Sequence, residues 1–440
     1  MAGIFKAYDI RGIFGSTLTA EIATDIGRAF VDFLGARRVV VGRDMRTHSP
    51  AMFAALARGL TMQGADVIDV GLCSTPMCYF ANGTLGADGS IMITASHNPG
   101  EWNGMKMCRE SAIPISGPTG IEAIEALVKA GDFKPPAAQP GTVSSHEIAP
   151  AYAAHIRANA HFGRPLRLAV DYANAMGIVE AQALAGLYDE VALFGELDGS
   201  FPNHEANPLD HETLEPLQHL IHTQGPFDFG IAFDGDADRV GFVDETGAIV
   251  PMDLITALIA QTMLRAGPGR VFYDLRSSKA VREAIEEAGG EALMSRVGHA
   301  FIKRQMRDAN ALFAGELSGH YYFRENFFAE SSALAVIAIA NLVSNSSQPL
   351  SALIAPLRRY APSGEINSTV SDVARVFGAL RAAFADARFT ELDGLSVEYP
   401  DWWFNVRASN TEPLVRLNLE AADAASMAAH RDAVLAIIRG

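Results

Sequence analysis

A single serine in this sequence of 440 residues has the setting that covalent chemistry requires. Ser96 lies within residues 94–99, which read Thr-Ala-Ser-His-Asn-Pro and directly follow the apolar run 89–93. A hydroxyl at the end of a buried strand can act as a nucleophile and carry a phosphoryl group between positions on a substrate. The alternative is an N-cap or an Asx-type turn, because serine, asparagine and proline all favour turns.

Three aspartates form the second group of chemically competent residues. Asp234, Asp236 and Asp238 alternate after the apolar run 229–233, so they share one face if the strand continues and converge if it turns. Either geometry offers oxygen ligands only, which suits Mg²⁺ or Ca²⁺. An EF-hand loop is excluded because Arg239 stands where that loop requires glycine. A solvated acidic turn is the plainer alternative, although three like charges rarely gather without a cation.

Other polar residues lie close to Ser96 in the sequence. Adjacent residues seldom orient productively towards each other, so we predict a structural role for His97. Gly104 should allow Lys106 to fold back towards Ser96, the alternative being an unpaired surface lysine. Arg11, beside a glycine, is typical of an active-site loop.

Residues 42–46 also contain arginines, but we do not interpret this segment as an active-site loop. Arg43, Asp44 and Arg46 have the composition of an ion-paired structural element, and we predict that role for them.

Two later segments have the polar groups needed to bind a phosphorylated sugar. Glu316 and Ser318 can accept from and donate to adjacent sugar hydroxyls, with His320 behind them. Residues 407–413 combine one arginine with hydroxyls, an amide and backbone N–H groups, which suits a phosphate dianion, and Arg416 adds charge. An ordinary Asx-type turn is the alternative for residues 407–413.

The elements that must position these residues follow an α/β pattern. Short β-rich runs alternate with amphipathic segments of helical length. The sequence predicts three α/β units with mixed sheets, over residues 1–148, 149–250 and 251–362, and a smaller α+β unit over residues 363–440. Residues 134–141 are rich in proline and predict a linker.

The last unit is predicted to contain five elements. They are a strand over residues 365–370, a helix over 374–385, strands around 402–406 and 414–419, and a closing helix from Ala424.

Composition limits the classes of partner and the compartment. The net charge of −16 argues against nucleic acid or an anionic membrane as the main partner. The longest apolar stretch, residues 334–343, is far shorter than the roughly 20 residues that span a bilayer. We read no signal peptide at the start and predict reduced, structural thiols at Cys73, Cys78 and Cys108. A cytoplasmic enzyme is therefore expected.

Taken together and in order, these motifs resemble the α-D-phosphohexomutase superfamily, specifically bacterial phosphomannomutase/phosphoglucomutase. The resemblance covers nearly the whole chain, and it is carried by residues 7–12, 94–99, 103–106, 201–204, 234–239, 298–303, 315–320 and 407–413.

The resemblance implies four domains around a central cleft, each of which contributes one loop. It implies a phosphoserine at Ser96 and Mg²⁺ held by Asp234, Asp236, Asp238 and the serine phosphate. Hexose phosphates, of mannose or glucose, would then be interconverted through glucose 1,6-bisphosphate or mannose 1,6-bisphosphate. The protein is expected to be a monomer or a weak dimer.

The resemblance also assigns site residues. The catalytic residues would be Ser96, Lys106, Arg11, His320 and Arg239, with Lys106 and His320 as candidates for the general acid/base. The substrate-binding residues would be Tyr8, Arg11, Lys106, Arg239, Arg276, Gly298, His299, Glu316, Leu317, Ser318, Gly319, His320, Arg407, Ser409, Asn410, Thr411 and Arg416.

Some positions depart from the commonest family pattern and leave the sugar open. Trp102 replaces a usual tyrosine, Arg276 a usual lysine, and residues 328–331 an acidic stretch. A phosphoglucosamine mutase would usually carry glutamine at Leu317. A Mg²⁺-dependent sugar phosphatase and a catalytically silent sensor are the alternatives from other classes.

Overall fold

The computed structural model of the protein describes residues 3–408 and 414–440. Within these residues the strands form four sheets, one of six strands and three of five. The first three sheets mix parallel and antiparallel pairs, and the described strands of the last sheet are antiparallel. This confirms the predicted order of three α/β units with mixed sheets and a final α+β unit.

The first unit surrounds a sheet with the strand order β1-β5-β4-β2-β3-β6. Thr19 caps its first helix by accepting from the Ile22 N–H, and Gly35 ends that helix in the left-handed conformation. The elements are β1 (Ile10–Ile13), α1 (Ala20–Leu34), β2 (Arg38–Arg43), α2 (Ser49–Met62), β3 (Asp66–Leu72), α3 (Thr75–Thr84), β4 (Gly89–Ile93), β5 (Trp102–Arg109), α4 (Ile121–Ala130) and β6 (Val143–Ser145).

The second and third units have sheets of similar plan, in the orders β11-β10-β9-β7-β8 and β13-β12-β14-β15-β16. The second contains α5 (Ala149–Arg157), β7 (Arg167–Asp171), α6 (Gly177–Glu180), β8 (Asp189–Leu193), α7 (Glu215–Gln224), β9 (Phe229–Phe233), β10 (Val240–Asp244) and β11 (Ile249–Val250). The third contains α8 (Met252–Leu264), β12 (Arg270–Asp274), α9 (Lys279–Glu287), β13 (Glu291–Ser295), α10 (His299–Ala309), β14 (Phe313–Gly315), β15 (Tyr321–Phe323), β16 (Ala329–Glu330), α11 (Ser332–Ser344) and α12 (Leu350–Ile354).

The last unit differs from its prediction in two places. Its first strand begins at Ala361 rather than at residue 365, because the register shift between Pro362 and Glu365 is a bulge inside the strand. The short strands β18 and β19 were not predicted. The elements are β17 (Ala361–Thr369), α13 (Val373–Ala383), β18 (Arg388–Thr390), β19 (Leu395–Glu398), β20 (Trp402–Ala408), β21 (Leu414–Ala421) and α14 (Ala424–Arg439).

The apolar core joins the first three units and separates the fourth. One cluster of buried side chains runs from Met92 through Phe229 to Val271, one residue from each of the three units. The last unit has its own cluster around Phe404 and Leu417. It docks on the third unit largely through polar contacts, so the three-unit body is the more continuous support for a site.

The start of helix α9 provides several of these docking contacts. Glu420 of β21 accepts hydrogen bonds from Ser278 Oγ at 3.0 Å and from the Lys279 N–H at 3.2 Å. The Lys279 side chain donates in turn to the Pro400 carbonyl at 2.6 Å.

Two expectations from composition can be compared with the structure. Cys73, Cys78 and Cys108 are buried thiols. Among the helices that the structure describes, none combines the length and apolar character needed to cross a bilayer.

Candidate active site

Ser96 lies where the first and second units meet. It follows β4 by three residues and is buried, with 1% of its surface exposed. Its backbone is left-handed, with φ of 52°, which is unusual for a residue other than glycine. In this conformation the Ser96 hydroxyl donates to Asp234 Oδ2 at 3.0 Å. The serine and the aspartate cluster, which come from distant parts of the sequence, therefore form one site.

The segment that joins β9 to β10, residues 234–239, is named the aspartate loop here. The chain turns at Ala237, whose φ is 60°, and oxygen atoms of Asp234, Asp236 and Asp238 converge within 4.8 Å of one another. Gly235 allows the close approach of the serine segment, because a Cβ at this position would lie 2.1 Å from the Ser96 carbonyl oxygen. Of the two geometries predicted for the aspartates, the turn is the one present.

The chemistry of the three carboxylates fits a divalent cation. All three are buried, and Asp236 Oδ1 receives no hydrogen bond from the described residues. Burial and the neighbouring Asp238 and Asp236 carboxylates raise the pKa of Asp234 well above its ordinary value. Concentrated negative charge on hard oxygen donors is the setting that Mg²⁺ prefers. The aspartate loop is therefore a candidate metal site.

Lys106 contacts the aspartate loop directly. Its ammonium group donates to Asp236 Oδ2 at 2.6 Å and to Asp238 Oδ2 at 2.5 Å. Although burial opposes the charge, Asp236 and Asp238 raise the pKa of Lys106 above its ordinary value. Burial would raise the pKa of Asp238, but Lys106 and His320 bring it well below the ordinary value.

The predicted route of Lys106 to the site was wrong. Gly104 does not form a turn that folds the chain back, because it lies inside the extended strand β5. There its missing side chain admits β1, since a Cβ would lie 2.1 Å from the Ile10 carbonyl oxygen. Lys106 reaches the aspartates from the strand, opposite Met92 of β4.

His97 lies beside the Ser96 hydroxyl, and its structural role stays a prediction. Its Nδ1 lies 3.2 Å from Ser96 Oγ, within hydrogen-bond distance although the residues are adjacent. The left-handed backbone of Ser96 permits this contact, which an extended dipeptide would not. Arg239, burial and Arg11 lower the pKa of His97 to about 2, so the imidazole is neutral and a weak base. A structural role is still the better interpretation.

Arg11 lies on a strand rather than on the predicted loop. It belongs to β1, where its Nε donates to Asp9 Oδ2 at 2.7 Å and its Nη1 donates to Asn98 Oδ1 at 2.6 Å. The pKa of Arg11 is raised, because Asp9 outweighs the effect of burial. The guanidinium is therefore held against the serine segment, in charged form.

The turn between β14 and β15, residues 316–320, contacts the aspartate loop through His320. His320 Nε2 lies 3.4 Å from Asp238 Oδ1 and 3.2 Å from Arg239 Nε, and its Nδ1 lies 2.8 Å from Ser318 Oγ. Burial lowers the pKa of His320, but Asp238 and the Glu316 hydrogen bond outweigh it and raise the value to about 9. His320 thus connects the 316–320 turn to the aspartate loop.

Glu316 ties this turn to helix α10. Its Oε1 accepts from the Gly298 N–H at 3.1 Å and its Oε2 accepts from Tyr322 at 2.5 Å. Burial would raise its pKa, but His320, Arg276 and Tyr322 bring the value down to about 2. Glu316, which is predicted to bind sugar hydroxyls, is thus a fixed carboxylate whose two oxygens both accept hydrogen bonds.

Tyr8 and His299 extend the site on the side of α10. Their rings pack edge to face at 5.6 Å, and Gly298, where φ is 127°, leaves room for Tyr8, because a Cβ at this position would lie 2.8 Å from the Tyr8 hydroxyl. Burial and the Lys303 ammonium lower the pKa of His299 well below its ordinary value. Beneath His299, Lys303 and Glu330 form an ion pair of 2.9 Å with both side chains fully buried.

Arg276 and the backbone of the 316–320 turn share one carboxylate. Arg276 donates to both oxygens of Asp274, at 3.2 and 2.6 Å, and the Leu317 N–H donates to Asp274 Oδ2 at 2.8 Å. Gly319, with φ of 82°, completes the turn. Arg276 thus lies next to the turn, held in a bidentate pair.

The predicted phosphate-binding arginines lie together on the last sheet. Arg407 and Arg416 are directly opposite each other across β20 and β21. Both donate to Glu365 of β17, from Nη2 at 2.7 Å and from Nη1 at 3.1 Å. Glu365 therefore balances two like charges that face each other. Ser409, Asn410 and Thr411, the other predicted members, lie outside the described residues.

Sequence reasoning missed contacts that hold the aspartate loop and the arginines. Thr75, at the start of α3, donates through its hydroxyl to Asp236 Oδ2 at 2.5 Å and through its N–H to the Asp236 carbonyl at 3.0 Å. Neither Thr75 nor Glu365 belongs to a segment with a recognisable chemical pattern. Their partners are distant in sequence, so no local signal marks them.

Comparison with known proteins accounts for this arrangement. Four family models match in succession: the Phosphoglucomutase/phosphomannomutase alpha/beta/alpha domain I over residues 2–135, domain II over 150–247, domain III over 251–360, and the C-terminal domain over 365–437.

Relatives match along their full length. A phosphomannomutase of Escherichia coli is 39% identical over 451 residues, covering 99% of both chains. A phosphoglucomutase of Neisseria gonorrhoeae is 39% identical and covers 95% of this chain and 93% of its own. The crystal structure of a phosphoglucomutase/phosphomannomutase family protein from Burkholderia thailandensis superposes with a TM-score of 0.90 at 34% identity, covering 98% of this chain and 95% of that one. The chain therefore belongs to the phosphoglucomutase/phosphomannomutase family, and it is a phosphohexomutase, an enzyme of the isomerase class.

Proposed function

We propose that this enzyme transfers a phosphoryl group reversibly between the 1- and 6-positions of mannose phosphate, glucose phosphate or both. Ser96 carries the phosphoryl group, and a hexose 1,6-bisphosphate is the intermediate. The observation that carries this proposal is the 3.0 Å hydrogen bond from Ser96 to Asp234, inside a cluster of three carboxylates suited to Mg²⁺. A metal at Asp234, Asp236 and Asp238 would supply positive charge beside the transferring group.

Two phosphoryl transfers make up the reaction. In the first, the bond from phosphorus to Ser96 Oγ breaks and a bond forms to the C6 oxygen of hexose 1-phosphate. The C6 hydroxyl loses its proton and the Ser96 oxygen gains one. The bisphosphate then reorients, and Ser96 Oγ takes the phosphoryl group from the C1 oxygen, which releases hexose 6-phosphate while the protons move in the opposite sense.

Lys106 and His320 are our candidates for moving these protons. Both lie against the aspartate loop that accepts a hydrogen bond from the Ser96 hydroxyl, and each has a side-chain nitrogen that can exchange a proton. Arg11 provides electrostatic support, since it lies against Asn98 of the serine segment. Arg239 faces the same centre, 3.2 Å from His320.

Substrate recognition is assigned to three segments. Arg407, Arg416 and the segment with Ser409, Asn410 and Thr411 would grip the phosphate that is not reacting, in both orientations. Glu316 and Ser318 would bind sugar hydroxyls. The other residues that would line the cleft are Tyr8, Arg276, Gly298, His299, Leu317 and Gly319.

The test is ³¹P NMR of the protein with Mg²⁺, a trace of glucose 1,6-bisphosphate, and either glucose 1-phosphate or mannose 1-phosphate. Growth of the 6-phosphate signal without inorganic phosphate is expected, and the two rates give the sugar preference. Release of inorganic phosphate would contradict the proposal and indicate a phosphatase. An unchanged spectrum with both sugars would also contradict it and make glucosamine 1-phosphate the next substrate to examine.

A further inference from the structure

Arg46 lies beneath the segment that carries Ser96 and donates to its backbone. The arginine follows β2, and none of its side chain is exposed. Nη1 donates to the carbonyl oxygens of Pro99 at 2.7 Å and Trp102 at 2.9 Å. Nη2 donates to the carbonyl oxygens of Ser96 at 2.8 Å and Asn98 at 2.6 Å. Four carbonyls of one short segment therefore converge on a single guanidinium.

The remaining donor of Arg46 binds its counter-ion. Nε donates to Asp44 Oδ2 at 3.2 Å, while Asp44 Oδ1 accepts from Ser49 Oγ at 2.6 Å and from the Arg46 N–H at 3.1 Å. A guanidinium has five N–H groups in a rigid plane, and here each has an acceptor. The ion pair predicted from the sequence is present, but it uses only one of the five.

The second unit packs on the same guanidinium. The ring of Phe201 lies 5.2 Å from its central carbon, a distance suited to a cation–π contact. Phe201 belongs to residues 201–204, a motif of the sequence that the reaction does not use. Arg46 is thus fixed from both units that meet at Ser96 and Asp234.

We propose that Arg46 is the positioning residue of the nucleophile, which holds Ser96 in its left-handed conformation with Oγ directed at Asp234. Residues in such backbone conformations persist where their surroundings over-determine them, and Arg46 binds the carbonyl of Ser96 itself. The role rests on the proposed function, because it requires Ser96 to carry the phosphoryl group. This positioning role is additional to the ion pair that Arg46 forms with Asp44 within the first unit.

The substitution Arg46→Lys tests this role. Lysine keeps the charge but replaces the planar fork with one nitrogen, which cannot serve four carbonyls. A shift of the nucleophile by about 1 Å should lower kcat roughly 100-fold in both directions. KM for glucose 1-phosphate should change less than about threefold, because the residues assigned to the phosphate lie on other elements. The rate at which glucose 1,6-bisphosphate phosphorylates Ser96, followed by mass spectrometry, should fall in parallel with kcat.

Arg43→Lys is the matched control. Arg43 ends the same strand, pairs with Asp69 at 2.7 Å and lies 4.5 Å from the ring of Phe53. Within the described residues, no side-chain hydrogen bond or ion pair joins Arg43 to residues 94–99. This variant should keep kcat, KM and the rate of Ser96 phosphorylation close to those of the wild type.

The outcomes separate this inference from the proposed function. An Arg46→Lys variant that folds and keeps the wild-type kcat would overturn the positioning role. If that variant does not fold, the double variant Asp44→Asn/Arg46→Gln decides, because it removes the four carbonyl contacts and leaves no buried charge unpaired; an unchanged kcat would then overturn the role. Activity retained in Ser96→Ala would instead overturn the proposed function, whatever the arginine variants do.

Discussion

The Ser96 hydroxyl donates to Asp234 Oδ2 at 3.0 Å, although 138 residues separate the two along the chain. Ser96 ends a strand of the first unit and Asp234 ends a strand of the second. The contact therefore depends on how the two units pack. Gly235, next to Asp234, allows the two segments to approach each other closely because it has no side chain. A small shift between the units would separate a nucleophile from the group that binds the metal in the proposed function.

Replacement of Ser96 by alanine should abolish mutase turnover and leave binding of the hexose phosphate nearly unchanged. Alanine removes the oxygen that would carry the phosphoryl group but leaves the other binding residues in place. Turnover is measured by ³¹P NMR and binding of glucose 1-phosphate by calorimetry. Wild-type turnover in Ser96→Ala would end the phosphoserine mechanism.

Removal of divalent cations by EDTA should abolish activity, and Mg²⁺ should restore it. Asp236→Asn should weaken Mg²⁺ binding at least about tenfold, since it replaces a buried carboxylate of the cluster with a neutral amide. Calorimetric titration with Mg²⁺ alone measures this directly. Asp308→Asn, at an aspartate 72% exposed and far from the cluster in sequence, is the control. Equal Mg²⁺ affinity in the two variants would show that the cluster does not hold the metal.

Arg407→Ala should weaken binding of the 1-phosphate and of the 6-phosphate alike. In the proposed function one clamp serves both orientations of the intermediate, and loss of charge-assisted hydrogen bonds of about 1.5–3 kcal/mol corresponds to roughly 10- to 100-fold in affinity. The dissociation constants of the 1-phosphate and the 6-phosphate, measured for the variant and the wild type, test this prediction. Arg381→Ala, in helix α13 of the same unit, should change neither constant. A loss confined to one isomer would contradict reorientation around a common phosphate site.

Glu180→Gln should make the stability of the protein less dependent on pH. Burial raises the pKa of Glu180 to about 7, although hydrogen bonds from Ser74 and Tyr152 oppose the increase. The native state therefore holds this proton more tightly than the unfolded chain. Its contribution to stability is full below the ordinary glutamate pKa of about 4.3 and is lost as pH rises through about 7, by roughly 4 kcal/mol in total.

Urea unfolding at several pH values between 5 and 8 measures this contribution. The decrease in the free energy of unfolding across that range should be smaller in Glu180→Gln than in the wild type. Glu110→Gln, at a glutamate with 49% of its side chain exposed, should keep the wild-type slope. Identical slopes in all three proteins would mean that Glu180 ionises normally in the fold.

Local sequence was sufficient to predict the three aspartates and the order of the units. The aspartates lie within five residues, so any turn brings them together, and alternating apolar periods identify the α/β layers. The short strands β18 and β19 escaped prediction because they are only three and four residues long, too short for a clear alternating pattern. The bulge in β17 concealed where the strand begins. Ser363 and Gly364 resemble a turn, so the strand was predicted to begin after them.

Contacts across the chain escaped prediction for a different reason. Thr75 and Asp236 are 161 residues apart, and the spacing between Arg46 and Ser96 is 50. Residue type alone does not distinguish Arg46, with four carbonyl acceptors, from Arg43, with one carboxylate. His97 was predicted to have a structural role because adjacent residues seldom orient productively, and its Nδ1 nevertheless lies within hydrogen-bond distance of Ser96 Oγ.

The sequence by itself determined the chemical inventory of this protein: a serine after a buried strand, three closely spaced aspartates, arginines in polar segments, and the order of the four units that carry them. Short-range patterns are enough for this, since apolar periodicity and turn residues act over a few positions. The tertiary structure decided which of these groups meet. Packing of the first unit against the second joined Ser96 to Asp234, and strand pairing brought Arg407 opposite Arg416. Such contacts depend on buried surfaces that distant segments complete together, which no local pattern encodes.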